Sequence, residues 1–323
     1  MNNMWGSMAQ YSEIHWGWYI AIYLVLAGLS AGAIIISLLV KWNWHSDNTN
    51  SIWDAMVKAG ALVAPIAITI GLLLLIAELS KPLSFYWVLI KYNLTSVMSI
   101  GVICLLIFTP LSYLFAAIIF ENEIEKSKFL AFLRPITKLI RVFSNLAKYV
   151  EYLIFILALC VGLYTGFLLG AAYKIPLWNT PVLPILFLLS GFSSGIATTV
   201  LVGILFFKGN LNKDSIKYLL KIDLRAVVFE IPLLIILFLG LYFEGGNSAV
   251  SAKEALTHQT YGVLFWFGVV LIGLITPIII ASTALKNHAY RPVFIVLDSF
   301  AIITGVVCLR YFFVYAGQVC LGI

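Results

Sequence analysis

The sequence is built of about eight long apolar runs, and nearly all of its charged residues lie in the short gaps between those runs. Asp, Glu, Lys and Arg make up only 11% of the 323 residues, whereas apolar residues make up 62%. Each run is long enough for a helix to cross roughly 30 Å of hydrocarbon at about 1.5 Å per residue. The chain is therefore predicted to be an all-α integral membrane protein that forms a single membrane domain, 1–323.

Eight transmembrane helices are expected, near 16–40, 58–79, 97–119, 149–172, 182–207, 226–243, 260–284 and 292–316. Small residues recur in the first span (Gly28 and Gly32) and at the matching place in the fifth (Gly191 and Gly195). Such spacing lets helix backbones approach closely, and it is also ordinary in membrane helix packing. Together the two motifs indicate two four-helix bundles of common design, 1–175 and 176–323.

The loop charges predict the orientation of the chain. An even number of spans puts both termini on the same side. Of the 20 Lys and Arg residues, 15 fall in loops on the opposite side, four on the side of the termini, and Arg310 lies inside the last span. The positive-inside rule then places both termini outside the cytoplasm.

Two basic segments, 127–148 and 213–225, have apolar residues at helical spacing and are predicted to be surface helices on the inner leaflet. A docking site for a cytoplasmic partner is the alternative for these segments. Tryptophans at the ends of the spans, Trp178 among them, indicate an interfacial belt.

Five polar residues are predicted to lie within roughly 12 Å of the outer interface, counted along their helices at about 1.5 Å per residue. They are His15, Tyr23, Glu78, Tyr164 and Arg310. Three of them also have a simpler explanation: Tyr23 as a residue of the aromatic belt, Glu78 as a hydrated carboxylate, and Arg310 as part of a structural ion pair. Arg310 is expected to pair with Glu78 or with another polar group nearby. Their common depth favours a polar site near the outer face.

A second acidic set lies toward the cytoplasmic face. Asp223 and Glu230 belong to the region of the sixth span, and Asp298 lies about one turn inside the eighth. A salt-bridged helix end accounts for Asp223. Glu230 and Asp298 are costly in hydrocarbon unless they are paired or hydrated, by about 2–3 kcal/mol or more. These acids form a candidate route for proton transfer.

Redox centres are not expected in this chain. The four histidines, which lie in loops or at the ends of spans, do not form the buried axial pair that haem b needs, and the four cysteines are scattered. Nucleotide-binding and metal-binding motifs are also missing. The sequence predicts no haem, no iron–sulfur cluster and no metal.

Several motifs resemble those of the NrfD/PsrC family, the membrane quinol-binding subunits of molybdopterin and multihaem respiratory complexes. The stretch 16–32 (WGWYIAIYLVLAGLSAG) is similar to the first helix of that family, and 77–82 (AELSKP) is similar to the end of its second. Tyr164-Thr165-Gly166 and Pro176-Leu177-Trp178-Asn179 resemble its fourth helix and the loop that follows. Leu309-Arg310-Tyr311 and Ala316-Gly317-Gln318 resemble its last helix, so the resemblance spans essentially the whole chain.

The resemblance implies a function as the quinol-oxidising membrane anchor of a respiratory reductase in a bacterial inner membrane. Menaquinol is the implied cofactor, and an extracytoplasmic iron–sulfur subunit and a molybdopterin catalytic subunit are the implied partners. His15, Tyr23 and Tyr164 correspond to quinone-binding positions, Glu78 and Arg310 to catalytic positions nearby. Asp223 and Glu230 resemble acidic positions of the sixth helix that serve proton transfer, and Asp298 joins them on the grounds of depth alone.

Tyr23 departs from those family members that have histidine at this position. Both side chains donate hydrogen bonds, but their pKa values differ widely, so the path of the quinol protons is an open question. The alternative function is a secondary transporter or ion channel, because eight helices, an internal repeat and a few buried acids suit that class as well. Against it, the acids lie near the faces and not at the midplane.

Overall fold

The computed structural model describes residues 16–44, 51–79, 86, 96–126, 147–172, 174–207, 209, 211–286 and 291–320. Within these ranges the protein is helical, and eight helices are long and apolar enough to cross a membrane. These are α1 (Trp18–Trp44), α2 (Ile52–Glu78), α3 (Val97–Ile119), α5 (Ala147–Gly170), α6 (Leu183–Phe207), α7 (Lys213–Glu244), α9 (Tyr261–Lys286) and α10 (Pro292–Val319). Two shorter helices are α4 (Glu121–Lys126) and α8 (Gly246–Thr257). The predicted all-α membrane fold with eight spans is confirmed.

The predicted surface helix over 213–225 is wrong, because this segment is the first part of the spanning helix α7. Its apolar residues Ile216, Leu219 and Leu220 are buried in a core cluster with residues of α1, α2, α6, α9 and α10. Protein, not the inner leaflet, therefore covers the apolar face. The other predicted surface helix, 127–148, lies almost wholly outside the described residues.

Helices α1 and α6 lie at the centre of the packing. Contacts close one ring through α1, α2, α3 and α5 and another through α6, α7, α9 and α10, while α6 also packs on α1, α2 and α5. This pattern suits two bundles but does not separate them, so the division at 175 stays a prediction.

The two small-residue motifs pack against each other where α1 crosses α6. A methyl group at Gly32 would overlap the Gly191 carbonyl, and one at Gly195 would overlap the backbone of Gly32. At Gly28 a methyl group would lie 3.4 Å from the guanidinium of Arg310. Absence of side chains at these positions allows the two central backbones to touch.

Twelve of the 26 residues of α9, from Leu264 to Ile275, form a π-helix. The Thr276 hydroxyl donates to the carbonyl of Leu271, five residues back, at 2.8 Å, which follows the wider turn. Long π-helices are rare and often occur at functional sites. In this protein the π-helix packs against α10, with Gly273 facing Gly305, and it lines a small polar cavity described below.

The first and the last spans meet on one face of the protein, where Trp16 is hydrogen-bonded to Gln318. On the same face α8 docks on the end of α10, because the Ser251 hydroxyl donates to the carbonyl of Cys320. Burial, with Glu254 nearby, raises the pKa of the Cys320 thiol to about 11. The thiol is therefore protonated at neutral pH and acts as a packing group.

On the opposite face, Glu151 at the start of α5 fastens the end of α1. Its carboxylate accepts hydrogen bonds from Lys41 Nζ at 2.6 Å and from the Trp42 indole at 2.9 Å. Glu151 is largely buried, so its two partners supply the hydrogen bonds and countercharge that a buried carboxylate needs.

Candidate functional site

Two tyrosines predicted to bind quinone, Tyr23 and Tyr164, lie together inside the first half of the chain. Tyr23 of α1 is 0% exposed and packs beside Gly71 of α2. Tyr164 of α5 is 6% exposed and lies so close to Gly101 of α3 that a methyl group there would overlap its ring. The phenols are near enough to interact electrostatically. Four helices thus bring the pair together.

The Tyr23 hydroxyl is buried and has no hydrogen-bond partner among the described residues. Leaving a buried polar group unpaired costs about 1–3 kcal/mol. Unsatisfied groups of this kind are uncommon and call for an explanation, such as a ligand that completes the hydrogen bond.

An apolar cavity of about 310 Å³ lies between α2 and α3. Its wall includes Leu72 of α2 and Val102 of α3, which follow in sequence the glycines that pack against Tyr23 and Tyr164; the two tyrosines are not among its lining residues. The rest of the lining is aliphatic apart from Met98 and Thr109, and the Thr109 hydroxyl is also buried without a partner. The site combines an apolar chamber with a few unpaired polar groups, as small-molecule sites commonly do.

Glu78 lies at the end of α2, where it holds the segment that leads into α1. Its Oε1 accepts a hydrogen bond from the Gly17 backbone N–H at 2.7 Å. The neighbouring residue Trp16 is bound by the side-chain amide of Gln318: Oε1 accepts from the Trp16 N–H at 2.7 Å, and Nε2 donates to the Trp16 carbonyl at 3.0 Å. Tyr315 of α10 is also close enough to interact electrostatically with Glu78.

Trp178 completes this arrangement from the loop between α5 and α6. Its ring stacks on Trp16 with centroids 4.9 Å apart, and its indole N–H donates to the carbonyl of Phe313 at 2.5 Å. Trp178 is 0% exposed, so it does not belong to the interfacial belt predicted for it. We call the cluster of Trp16, Gly17, Glu78, Trp178, Gly317 and Gln318 the Trp16 clamp.

Arg310 lies elsewhere, at the junction of α1, α6 and α10. It is 0% exposed, donates from Nη2 to the Phe187 carbonyl at 2.8 Å, and stacks its guanidinium over the Phe187 ring at 3.6 Å. The acid with which it interacts electrostatically is Glu230. Among the described ion pairs none involves Arg310, so the expected pair with Glu78 is not observed; the hydrogen-bond partner of Arg310 is the Phe187 carbonyl.

Glu230 lines a cavity of only about 10 Å³ with Ser193 and residues of the π-helix. Within the described part of the chain, the Ser193 hydroxyl, Glu230 Oε1 and two guanidinium nitrogens of Arg310 all lack hydrogen-bond partners. A cavity of that size is about the minimum for one water molecule. The arrangement provides donors and acceptors for a single bridging water between the acid and its neighbours.

Asp223 of α7 and Asp298 of α10, two of the acids predicted to serve proton transfer, lie near each other in the structure. Asp223 is 2% exposed and Asp298 is 1% exposed, and the two interact electrostatically with each other. Asp223 Oδ1 and both carboxylate oxygens of Asp298 have no partner in the protein. Two adjacent buried carboxylates are expected to share a proton, because both cannot be charged at low cost.

The polar residues predicted from sequence therefore form separate groups. Tyr23 lies with Tyr164, Glu78 lies in the Trp16 clamp, and Arg310 lies with Glu230. His15 lies outside the described residues. The sequence analysis did not identify Gln318 and Trp178 as interacting residues. Both belong to motifs noted above, but the sequence alone does not show that these two motifs are in contact.

These features define a multi-pass helical membrane protein with polar groups buried at several depths. No group of three or more His, Cys, Asp or Glu residues suited to a metal occurs in the part of the chain described here. A family model, described as polysulphide reductase NrfD, matches residues 6–322. The chain therefore belongs to the polysulphide reductase NrfD family.

Similar proteins from three bacteria cover nearly the whole sequence. The C subunit of polysulfide reductase from Wolinella succinogenes is 44% identical over 322 residues, 100% of both proteins. A protein NrfD homolog of Haemophilus influenzae is 38% identical over 94% of both proteins. Protein NrfD of Escherichia coli is 31% identical over 96% of this protein and 99% of its own length.

Proposed function

We propose that this protein is the quinol-oxidising membrane subunit of a respiratory reductase complex, and that it passes electrons from menaquinol to an iron–sulfur partner. One observation carries the proposal: the hydroxyl of Tyr23 is buried, has no partner among the described residues and lies near Tyr164. The apolar cavity between α2 and α3 supports it. A quinol needs such a site, because its ring and tail are apolar and its two oxygens are polar.

The residues of the site fit a quinol chemically. Tyr23 and Tyr164 offer hydroxyl groups to the ring oxygens, His15 provides an imidazole next to the Trp16 clamp in sequence, and the aliphatic wall of the cavity suits an isoprenoid tail. A bound menaquinol supplies two electrons and two protons on oxidation. The tyrosines orient the ring, and the surrounding apolar side chains exclude water.

Glu78 is the proposed proton acceptor near this site. The Gly17 N–H binds Oε1, and among the described residues no hydrogen bond to Oε2 occurs, so Oε2 is the proposed proton acceptor. Tyr315 is close to the same carboxylate and lies partly exposed on the face where the first and last spans meet. That placement gives the proton a short way out. Arg310 acts at a distance, by holding Glu230 and the α1–α6 crossing in place.

Electrons have to leave through a partner, because no redox centre is predicted in this chain. Supporting evidence is the name of the Wolinella relative, a subunit of polysulfide reductase. We propose an iron–sulfur subunit and a molybdopterin catalytic subunit on the extracytoplasmic side of a bacterial inner membrane. The excess of Lys and Arg in the opposite loops supports this orientation.

Protons on the opposite side are proposed to move through the buried acids. The Asp223–Asp298 pair comes first, and the Glu230–Arg310 pair with its water-sized cavity lies further along the same helices. Each has unpaired oxygens that can hold or pass a proton. This route is independent of the quinol site, so an experiment that excludes the route would leave the proposed quinol site standing.

The direct test is to replace Tyr23 by Phe, which removes one hydroxyl and keeps the ring. Binding of a naphthoquinol analogue to the purified protein, followed by tryptophan fluorescence, is expected to weaken about tenfold, which equals about 1.4 kcal/mol. Tyr149→Phe is the matched control, since Tyr149 is 72% exposed at the start of α5. Unchanged binding in Tyr23→Phe would remove Tyr23 from the site, and a wild-type protein that binds no naphthoquinol would overturn the proposed function.

A further inference from the structure

We infer that Gln318 is a positioning residue for the quinol site: it holds the backbone at the start of α1 in the place that quinol binding requires. The inference rests on the proposed function and adds to it a residue of the last helix. It starts from the two hydrogen bonds between the Gln318 amide and the main chain of Trp16, which connect residues 302 positions apart in sequence.

The two bonds demand a side-chain amide. Gln318 accepts from the Trp16 N–H and donates to the Trp16 carbonyl, as a neighbouring β-strand would. Glutamate has no donor and would put a negative oxygen against the carbonyl, whereas lysine and arginine have no acceptor for the N–H. Gln318 Nε2 also donates to the Val314 carbonyl at 2.9 Å, which ties the amide to its own helix.

The main-chain N–H groups at the start of α1, and those of the two residues just before it, need hydrogen-bond partners from other helices. The first N–H groups of a helix have no partner inside it, and next to a membrane they need one from elsewhere. In this protein Trp16 is held by α10 through Gln318, and Gly17 is held by α2 through Glu78. Glu78, the proposed proton acceptor, thus holds the residue that follows the one held by Gln318.

Trp178 and Gly317 support the same arrangement. The ring of Trp178 is stacked on Trp16 and fastened to α10 through the Phe313 carbonyl. Gly317 leaves the space that this ring fills, since a methyl group there would overlap it. The Trp16 side chain is thereby fixed as well as its main chain.

Hydrogen exchange and kinetics of Gln318→Glu in the intact complex test this inference. The amides of Trp16 and Gly17 are expected to exchange at least tenfold faster than in the wild type, because one tether of the clamp is lost. KM for quinol is expected to rise about tenfold, with a smaller change in kcat. Gln259→Glu is the matched control: Gln259 is exposed on the same face, and both quantities should stay at wild-type values. Gln318→Asn, which keeps the amide on a shorter stem, should lie between the two.

The outcomes separate this inference from the proposed function. Faster exchange together with a raised KM supports it, provided that α6, a buried helix, keeps its protection and so reports an intact fold. Faster exchange with an unchanged KM would show a purely structural clamp and overturn it, and so would unchanged exchange. A wild-type complex that oxidises no quinol would instead overturn the proposed function, while the exchange result would still show whether the clamp exists.

Discussion

Gly101 has no side chain, and this leaves the space that the Tyr164 ring occupies. The ring lies against the Gly101 backbone, so Gly101→Ala forces the ring out of its observed position. Overpacking of this kind costs about 1–3 kcal/mol. Quinol oxidation by membranes that carry the variant is expected to fall about tenfold, because the Tyr164 hydroxyl no longer lies where the proposed site needs it. Gly240→Ala makes the same change on the exposed side of α7, where nothing lies within 4 Å, and is expected to be silent. Equal activity of the two variants would contradict the placement of Tyr164.

The buried charges Arg310 and Glu230 are predicted to depend on each other. Arg310→Met leaves Glu230 without its cation and is expected to lower the free energy of unfolding by about 3–5 kcal/mol. Glu230→Gln should recover part of that loss when the two changes are combined, because the uncompensated carboxylate is then absent. Thermal unfolding of the detergent-solubilised protein measures the effect. Arg291→Met, at an exposed residue, serves as the control, and additive losses in the double variant would argue against the pair.

For individual residues, the sequence predicted which polar side chains are buried better than it predicted which residues they contact. Hydropathy and depth identified Tyr23, Tyr164, Arg310 and Glu230 as polar groups inside spans, and the structure buries all four. The proximity of Arg310 and Glu230 could not be predicted, because it depends on which faces of α7 and α10 turn toward each other. Gln318 could not be assigned a contact for the same reason: its partner is a main-chain group, which has no side-chain identity in the sequence.

At the scale of helices, the α1–α6 crossing is the contact most sensitive to added volume. Gly32→Ala places a methyl group on the Gly191 carbonyl, where backbone and not a flexible side chain would have to move. We expect a loss of stability of about 1–3 kcal/mol, seen as a lower melting temperature. Gly240→Ala again provides the control, and a Gly32→Ala protein that melts with the wild type would contradict the close approach.

The sequence predicted the number of spanning helices correctly, and its largest boundary error was the start of the sixth span, predicted at 226 and observed at Lys213; the second span also begins six residues earlier than predicted, at Ile52. Eight apolar runs became eight helices because a polar backbone inside hydrocarbon has few alternatives to the helix. The segment 213–225 misled the prediction because a basic helix with one apolar face looks alike whether lipid or protein covers that face. The π-helix of α9 has no signal in hydropathy, since it alters the turn of a helix and not its composition.

For the whole molecule, the account predicts that the buried acids on the side opposite the Trp16 clamp contribute to charge movement. Glu230→Gln keeps the size of the side chain and removes its proton site. In vesicles that carry the complex, the membrane potential generated per quinol oxidised is expected to fall, while the rate of quinol oxidation falls less. Glu244→Gln, at the exposed end of the same helix, is the control. An undiminished potential in Glu230→Gln would exclude the proposed route.

The central claim is that quinol binds beside Tyr23 and Tyr164, and photolabelling with an azido-naphthoquinol in native membranes tests it most directly. The expected result is label on the cavity walls, in Leu72–Leu79 of α2 and Met98–Pro110 of α3, which excess menaquinol displaces and Tyr23→Phe reduces. A second apolar cavity, about 570 Å³ between α7 and α9, provides an internal comparison. Label that menaquinol displaces from that second cavity and not from the α2–α3 walls would contradict the account.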